Sequence, residues 1–346
     1  MIKKLTMVFI SLTVVLFAVC SFAAPPQPAL QDLYKAAKAE GKVTWQYVGS
    51  INEIKGVIDA FQAKYPEIKL TVFSVSAASI GTRIIGEATA KRLTLDVGTT
   101  RPSYLMPLIE RDMLVKYDWT KLGIPKGDIL LDGVCINMFD NPHVWLRNTN
   151  LVPAAEIPKT WEDVLNPKWK GHKISMRASA ITLAPLFLTW KKDKQKAIEY
   201  VEQLKKQEVV VGKRVAEVIM RISSGECAIG RASISYVLEA LKEKAPVAFL
   251  PISPASDFPT SIFTPKGVPN PNAAKFLMAW LKGPEAEKEW GKLGYGLASP
   301  PEASFVAQTL AKNGVKFERI VSKEDTAEFE EHFAPMVVKT MGFLPD

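Results

Sequence analysis

Hydroxyls and arginines recur where a strand-like run gives way to a helix-like one. "VTWQYV", which contains Tyr47, is followed by Gly49 and Ser50, and "TVFSV" by Ser76, Ser79, Thr82 and Arg83. "LDVG" leads to Thr99, Thr100 and Arg101; "KISM" to Arg177 and Ser179; "VVVGK" to Arg214. "CAIG" precedes Arg231, Ser233, Ser235 and Tyr236. A serine or threonine at such a turn has two readings, helix N-cap or ligand contact. Arginine has no capping use, and a helix N-terminus disfavours a cation. A guanidinium does suit bidentate contact with carboxylate or phosphate. Arg101, Arg177, Arg214 and Arg231 are therefore candidates to line an anion-binding cleft, with Tyr47, Ser50, Ser79, Thr82, Ser179 and Tyr236 beside them.

Bond-making chemistry has no comparable support. The chain lacks G-x-S-x-G, H-E-x-x-H, G-x-G-x-x-G and the phosphate-binding P-loop. Its three histidines, His143, His172 and His332, are far apart, with no cysteine or carboxylate at metal-ligand spacing. A binding protein without cofactor or resident metal is expected, not an enzyme.

The positioning elements alternate between helix and strand. A helix over Leu30–Glu40 ends at Gly41, "KVTWQYV" follows as a strand, and Ile54, Val57, Ile58 and Phe61 mark the next helix. The alternation runs on through "YPEIKLTVFSV", a helix from Ile80, "LTLDVGTT", "ILLDGVCINMF", "HKISM", "EVVVGK" and "ECAIG". Strands alternating with helices predict a largely parallel sheet covered on both faces, and one sheet rarely absorbs so many strands. Two α/β lobes are the natural division. After "APVAFLPI" the pattern becomes mostly helical, with Gly283-Pro284 breaking two helices apart.

The first residues, MIKKLTMVFISLTVVLFAVCSFAAPPQ, have two lysines, an apolar run and a small-x-small site at Ser21–Ala23. This is the layout of a secretory signal peptide over 1–23, and its apolar run of about 15 residues is short of the ~20 needed to span a bilayer. Cys20 leaves a lipoprotein anchor as the alternative, with Val19 where a small residue is usual. Removal of 1–23 would leave 323 residues and lower the formal charge from +8 to +6. The densest basic stretch, Trp190–Lys206, places Ala197, Ile198, Val201 and Leu204 on one helical face, so its lysines read as a solvated back and no nucleic-acid partner is expected. In an exported chain Cys135 and Cys227 either form one disulfide or remain buried thiols.

"LYKAAKAEGKVTW", "PKTWEDVLNPKWKGHKISM", "ISSGECAIG", "APVAFLPI" and "PNPNAAKFLMAWLKGPEAE" occur in this order. Together they resemble extracellular solute-binding proteins of ABC importers, in the branch that contains ferric-ion binding proteins. The resemblance implies an α/β, two-lobed periplasmic binding protein fold (type II), with two doubly wound mixed sheets joined by hinge strands. Lobe I is expected from 24–133 plus 247–300 and lobe II from 134–246 plus 301–346. It further implies a periplasmic monomer that closes on a small ligand and hands it to a membrane permease. Ferric binders of this branch use adjacent tyrosines, whereas "RASISYVLEAL" has Ser235 before a lone Tyr236. With four arginines on the loops, a small anion (phosphonate, phosphate ester or carboxylate) is the expected ligand, and ferric iron or a ferric chelate the alternative. Within "TWEDVLNPKWKGHKISM", Thr160 and Asp163 are placed as a capping box, Trp161 and Trp169 as packing residues, and Lys170-Gly171 as the turn into a strand that delivers Arg177 and Ser179.

Overall fold

The computed structural model describes residues 28–297 and 304–343. The expected signal segment and Cys20 lie outside the described residues. In chain order the strands are β1 (Lys42–Tyr47), β2 (Lys69–Ser74), β3 (Val97–Thr100), β4 (Ile129–Leu130), β5 (Cys135–Phe139) and β6 (His143–Asn148). There follow β7 (Ile174–Arg177), β8 (Val210–Gly212), β9 (Ile229–Ser233), β10 (Val247–Phe249), β11 (Ala255–Asp257), β12 (Thr260–Phe263) and β13 (Phe317–Arg319). They make a six-stranded sheet, β2-β1-β3-β12-β5-β4, a five-stranded sheet, β10-β6-β9-β7-β8, and the pair β11-β13. Each large sheet is mixed. β1, β2 and β3 run parallel while β12 is antiparallel to β3 and β5; β7, β8 and β9 run parallel while β6 is antiparallel to β9.

Helices cover both faces of each sheet, so each lobe has three layers. On the six-stranded sheet, Trp45, Phe61, Phe276, Trp280 and Trp290 form one core, and Ile80, Ile84, Leu105, Leu108 and Phe263 form the other. Gly98 permits the second: a Cβ there would stand 2.3 Å from the Phe263 ring, a separation no side chain can occupy. On the five-stranded sheet, Trp145, Met176 and Phe187 pack against Phe329 and Phe333, while Ala232, Ile222 and Val218 pack against Val306 and Leu310. The C-terminal helices thus cover both faces of the second sheet. Among the described residues no helix is long and apolar enough to cross a membrane. Cys135 and Cys227 are separate, buried thiols.

Three details differ from the sequence pattern. "ILLDGVCINMF" is not one strand, because Leu131 and Asp132 take positive φ values of 48° and 56° and break it into β4 and β5. β9 continues past "CAIG" through Arg231 to Ser233, and the next helix, Ile234–Lys242, already includes Tyr236. β6, which the periodicity did not indicate, is an inner strand between β10 and β9. Sheet membership changes at 140–142 and within 250–259, several residues beyond the expected divisions at 133/134 and 246/247. The reason is pairing: β5, buried throughout, bonds to β12 in the first sheet, and β10 bonds to β6 in the second.

A buried ionic network holds the first crossing. Arg319 Nη2 reaches Asp140 Oδ2 at 2.5 Å and its Nη1 reaches Asp128 Oδ1 at 3.6 Å; Lys282 Nζ lies 3.2 Å from Asp128 Oδ2. Asp140 also donates its N–H to Gly296 O at 2.9 Å. The side chains of Lys282 and Asp128 are each 5% exposed, so neither ion is solvated when its partner is lost. Asp128→Ala is expected to cost about 3–5 kcal/mol in urea unfolding, the range for orphaning a buried charge, whereas Asp128→Leu combined with Lys282→Met costs clearly less.

Candidate functional site

The strand polarities set the site. The carboxyl ends of β1 and β3, the start of β12 and the end of β5 share one edge of the first sheet. The carboxyl ends of β7, β8 and β9 share one edge of the second, together with the start of β6, since His143 pairs with Ser233. The crossings 140–142 and 250–259 leave from these edges. Parallel sheets bind ligands beyond such ends, where the backbone turns away and side chains converge.

Arg101 directly follows β3, Arg177 ends β7, and Arg231 lies inside β9 opposite Met176 and Trp145. Arg231 is the unusual one. It is wholly buried, with its guanidinium 4.7 Å from the Trp161 ring and 5.9 Å from that of Trp145. Its Nε donates to Thr182 O, but Nη1 and Nη2 are buried without a hydrogen-bond partner. Burial pulls it down to about 9, against opposing pulls from Tyr200 and Asp257. Such a group is costly unless something supplies acceptors.

His143 shares this surrounding. It is 7% exposed, neither ring nitrogen has a partner, and burial followed by the charges of Arg231, Arg177 and Arg101 holds it well below the usual histidine value. Arg101 comes from the first sheet and the other two from the second, so the positive field spans both lobes. Asp257 stands in the second crossing and accepts from Asn141 N–H at 2.9 Å. Burial and then the neighbouring Asp140 raise its carboxyl to about 7, against the pull of that N–H and of Arg101.

A second group collects tyrosines. Tyr47, buried at the end of β1, lies close to Glu53; Tyr295 stacks on Phe139 at 4.5 Å and donates its hydroxyl to Glu53. Tyr236 opens onto a cavity of about 570 Å³ that Glu53, Glu239, Lys242, Lys292 and Phe305 help to line. All three phenols are shifted upward, first by burial and then by neighbouring tyrosine or Glu53 charge, so they are neutral hydroxyls in this state. A larger hollow of about 760 Å³ lies by Thr160–Asp163, Tyr200 and Pro254. Its lining includes none of the arginines around His143, and the stronger candidate is the group with unpartnered buried nitrogens, Arg231 and His143.

The charges of Arg101, Arg177 and Arg231 all act on His143, and Tyr47 and Tyr236 both feel Glu53; Arg214 is exposed at the N-cap of Val215–Ser224, where its charge reaches Tyr236. Ser179 is buried and donates its N–H to Arg177 O at 2.9 Å. Ser50, Ser79 and Thr82 are exposed, and the Ser79 hydroxyl is bonded within its own turn, to Ser76 O at 3.1 Å. Arg231 is a correction in kind, being a strand residue rather than a loop one. Tyr236 likewise sits in a helix. His143, Asp257, Glu53 and Tyr295 escaped the sequence reading. For His143 the available signal was the apolar "HVWLRN" run after the crossing; for the others, contacts between distant segments decide. Among the described residues no group of three or more His, Cys, Asp or Glu could hold a metal.

Thr160 and Asp163 do form the reciprocal cap: Asp163 N–H donates to Thr160 Oγ1 at 3.1 Å, and Thr160 N–H to Asp163 Oδ2 at 3.0 Å. The turn they start is a 3-10 helix, Glu162–Leu165. It seats Trp161 in the core, where the indole becomes the platform for Arg231.

Residues 56–318 match the family model described as bacterial extracellular solute-binding protein. No curated protein matches the chain. Among solved structures, iron-bound HitA from Pseudomonas aeruginosa superposes with a TM-score of 0.68 at 16% identity, covering 86% of this chain and 99% of that one. The Trichodesmium protein IdiA (FutA), in complex with iron and citrate, gives 0.70 at 17% identity, over 88% and 100%. AgtB from A. tumefaciens R10, in complex with agropinic acid, gives 0.59 at 15%, over 87% and 99%. These likenesses share the two-lobed fold.

Asp257 supplies a pH test. Its folded value, about 7, lies above the ordinary carboxyl value of 3.8, so its contribution to stability is fully present below pH 4 and is lost as pH rises through 7. Asp257→Asn should remove that decline from the melting temperatures measured between pH 4 and 8, and stabilise the protein at pH 8.

Proposed function

The chain belongs to the bacterial extracellular solute-binding protein family, and we propose that it captures a small anionic solute for an ABC importer. The solute is a phosphonate, phosphate ester or carboxylate. The observation that carries this reading is the Arg231 guanidinium, wholly buried with two nitrogens lacking partners and joined by Arg177 and Arg101 around His143. An oxyanion offers acceptors to the two unpartnered Arg231 nitrogens and a charge opposite to that of the guanidinium groups. Tyr47, Ser50, Ser79, Thr82 and Arg101 approach from the first lobe, and Arg177, Ser179, Arg214, Arg231 and Tyr236 from the second. A solute that touches both favours the closed arrangement, which a membrane permease then recognises. The task is binding without catalysis or cofactor, by a monomer exported to the periplasm behind its 1–23 leader.

A second reading, ferric iron or a ferric chelate, draws on Tyr47, Tyr236, Tyr295 and Glu53, an oxygen-rich set suited to a hard cation. Burial and the Glu53 charge raise these phenols further, which adds to the cost of the deprotonation that coordination to iron requires.

A thermal-shift screen of refolded, ligand-stripped protein separates the two. Methylphosphonate, phosphate esters and succinate are set against ferric citrate. A ligand at 100 times its Kd adds about 2.7 kcal/mol, a rise of a few degrees. Stabilisation by ferric salts alone, with a tyrosinate–iron absorption band, would overturn the anion reading. For the stabilising anion, calorimetry on Arg177→Ala should show affinity weaker by about 1.5–3 kcal/mol, the range for a charged hydrogen bond; unchanged affinity would remove Arg177 from the site.

A further inference from the structure

We propose that His143 contacts the solute directly, and that the anion binds together with one proton, which the imidazole takes up. This inference rests on the anion reading above. His143 opens β6 at the first crossing, beside the carboxyl end of β9, so its ring stands where the two lobes meet. It is more than nine-tenths buried, and both Nδ1 and Nε2 lack a partner. Buried side-chain polar atoms without a partner are few in native proteins, and a ring with both nitrogens orphaned requires a reason.

The neighbours supply one. Arg231 lies in β9, Arg177 at the end of β7 and Arg101 just after β3, and the charges of all three oppose protonation of the ring. Of the carboxylates in the crossings, Asp140 accepts from Arg319 at 2.9 and 2.5 Å, and Asp257 accepts from the Asn141 N–H and attracts Arg231 and Arg101. The neutral ring therefore has one donor and one acceptor in a field of three cations, whereas the imidazolium has two donors. An oxyanion among the arginines reverses the balance. Its charge cancels their repulsion, its oxygens accept from the ring, and the free ring nitrogen takes a proton from solvent. No covalent bond other than N–H changes.

Linkage gives the sign. A solute that raises the basicity of the ring is itself bound more tightly at low pH. Between the free and bound values affinity falls as pH rises, up to tenfold per unit where a whole proton is taken up.

The test follows the ring itself. The full sequence has three histidines, so ¹⁵N-histidine labelling gives a short NMR spectrum, and His143→Gln identifies the His143 signals. Without anion those signals should remain those of neutral imidazole at pH 7. Saturating methylphosphonate or succinate should convert them to imidazolium, with both nitrogens protonated. In calorimetry with succinate, wild-type affinity should fall at least tenfold from pH 6.5 to 8.5, against less than twofold for His143→Gln. An anion that stabilises the protein while His143 stays neutral overturns this inference and leaves the anion reading intact. If neither anion shifts the melting temperature, the anion reading fails and this inference with it.

Discussion

Asp140 is where the two lobes become one molecule. It terminates the strand that belongs to the first sheet, and its carboxylate holds Arg319, which belongs to the C-terminal segment packed on the second. The same arginine reaches Asp128, which in turn neutralises Lys282 at the end of a first-lobe helix. Attraction within such a network is offset by the desolvation of its members, so its effect on net stability is modest while every member is present. Its consequence is geometric. Three residues further on, His143 starts β6, an inner strand of the second sheet, so Asp140 and His143 flank the same crossing.

The candidate site carries an electrostatic load in Arg231, whose buried guanidinium keeps two nitrogens without partners. The Arg231 guanidinium is wholly buried on two indoles, and His143, which feels its charge and those of Arg177 and Arg101, stays neutral. Asp257, near Arg101, is itself half-protonated near neutral pH because burial outweighs the attraction. Natural cores avoid unpaired charge unless a function requires it. Here the load sits at the carboxyl ends of parallel strands, the place where this kind of sheet accepts ligands.

The indole platform links folding to that load. The Thr160–Asp163 cap orders one 3-10 turn, the turn fixes Trp161, and Trp161 with Tyr200 closes the core over Arg231. A capping motif read from four residues therefore bears on the conformation of an arginine some 70 positions later. The same stretch delivers Arg177 and Ser179, as its turn and strand spacing imply, so two routes lead from one short segment to the site.

Alternating periodicity was enough to show two α/β lobes, and residue type at strand ends was enough to propose Arg101, Arg177 and Arg231 as candidates, because both are local properties of the chain. What lay beyond local pattern was pairing. β5 and β10 take the sheet that offers hydrogen-bond partners, not the one nearest in sequence, and this moves both crossings. Arg231 has the composition of a loop residue but lies in a strand, since β6 and β7 flank it on both sides. His143, Glu53 and Tyr295 carry no signal in their own neighbourhoods. Their importance arises only when segments far apart in the chain meet, and only the tertiary structure decides what a buried imidazole has around it.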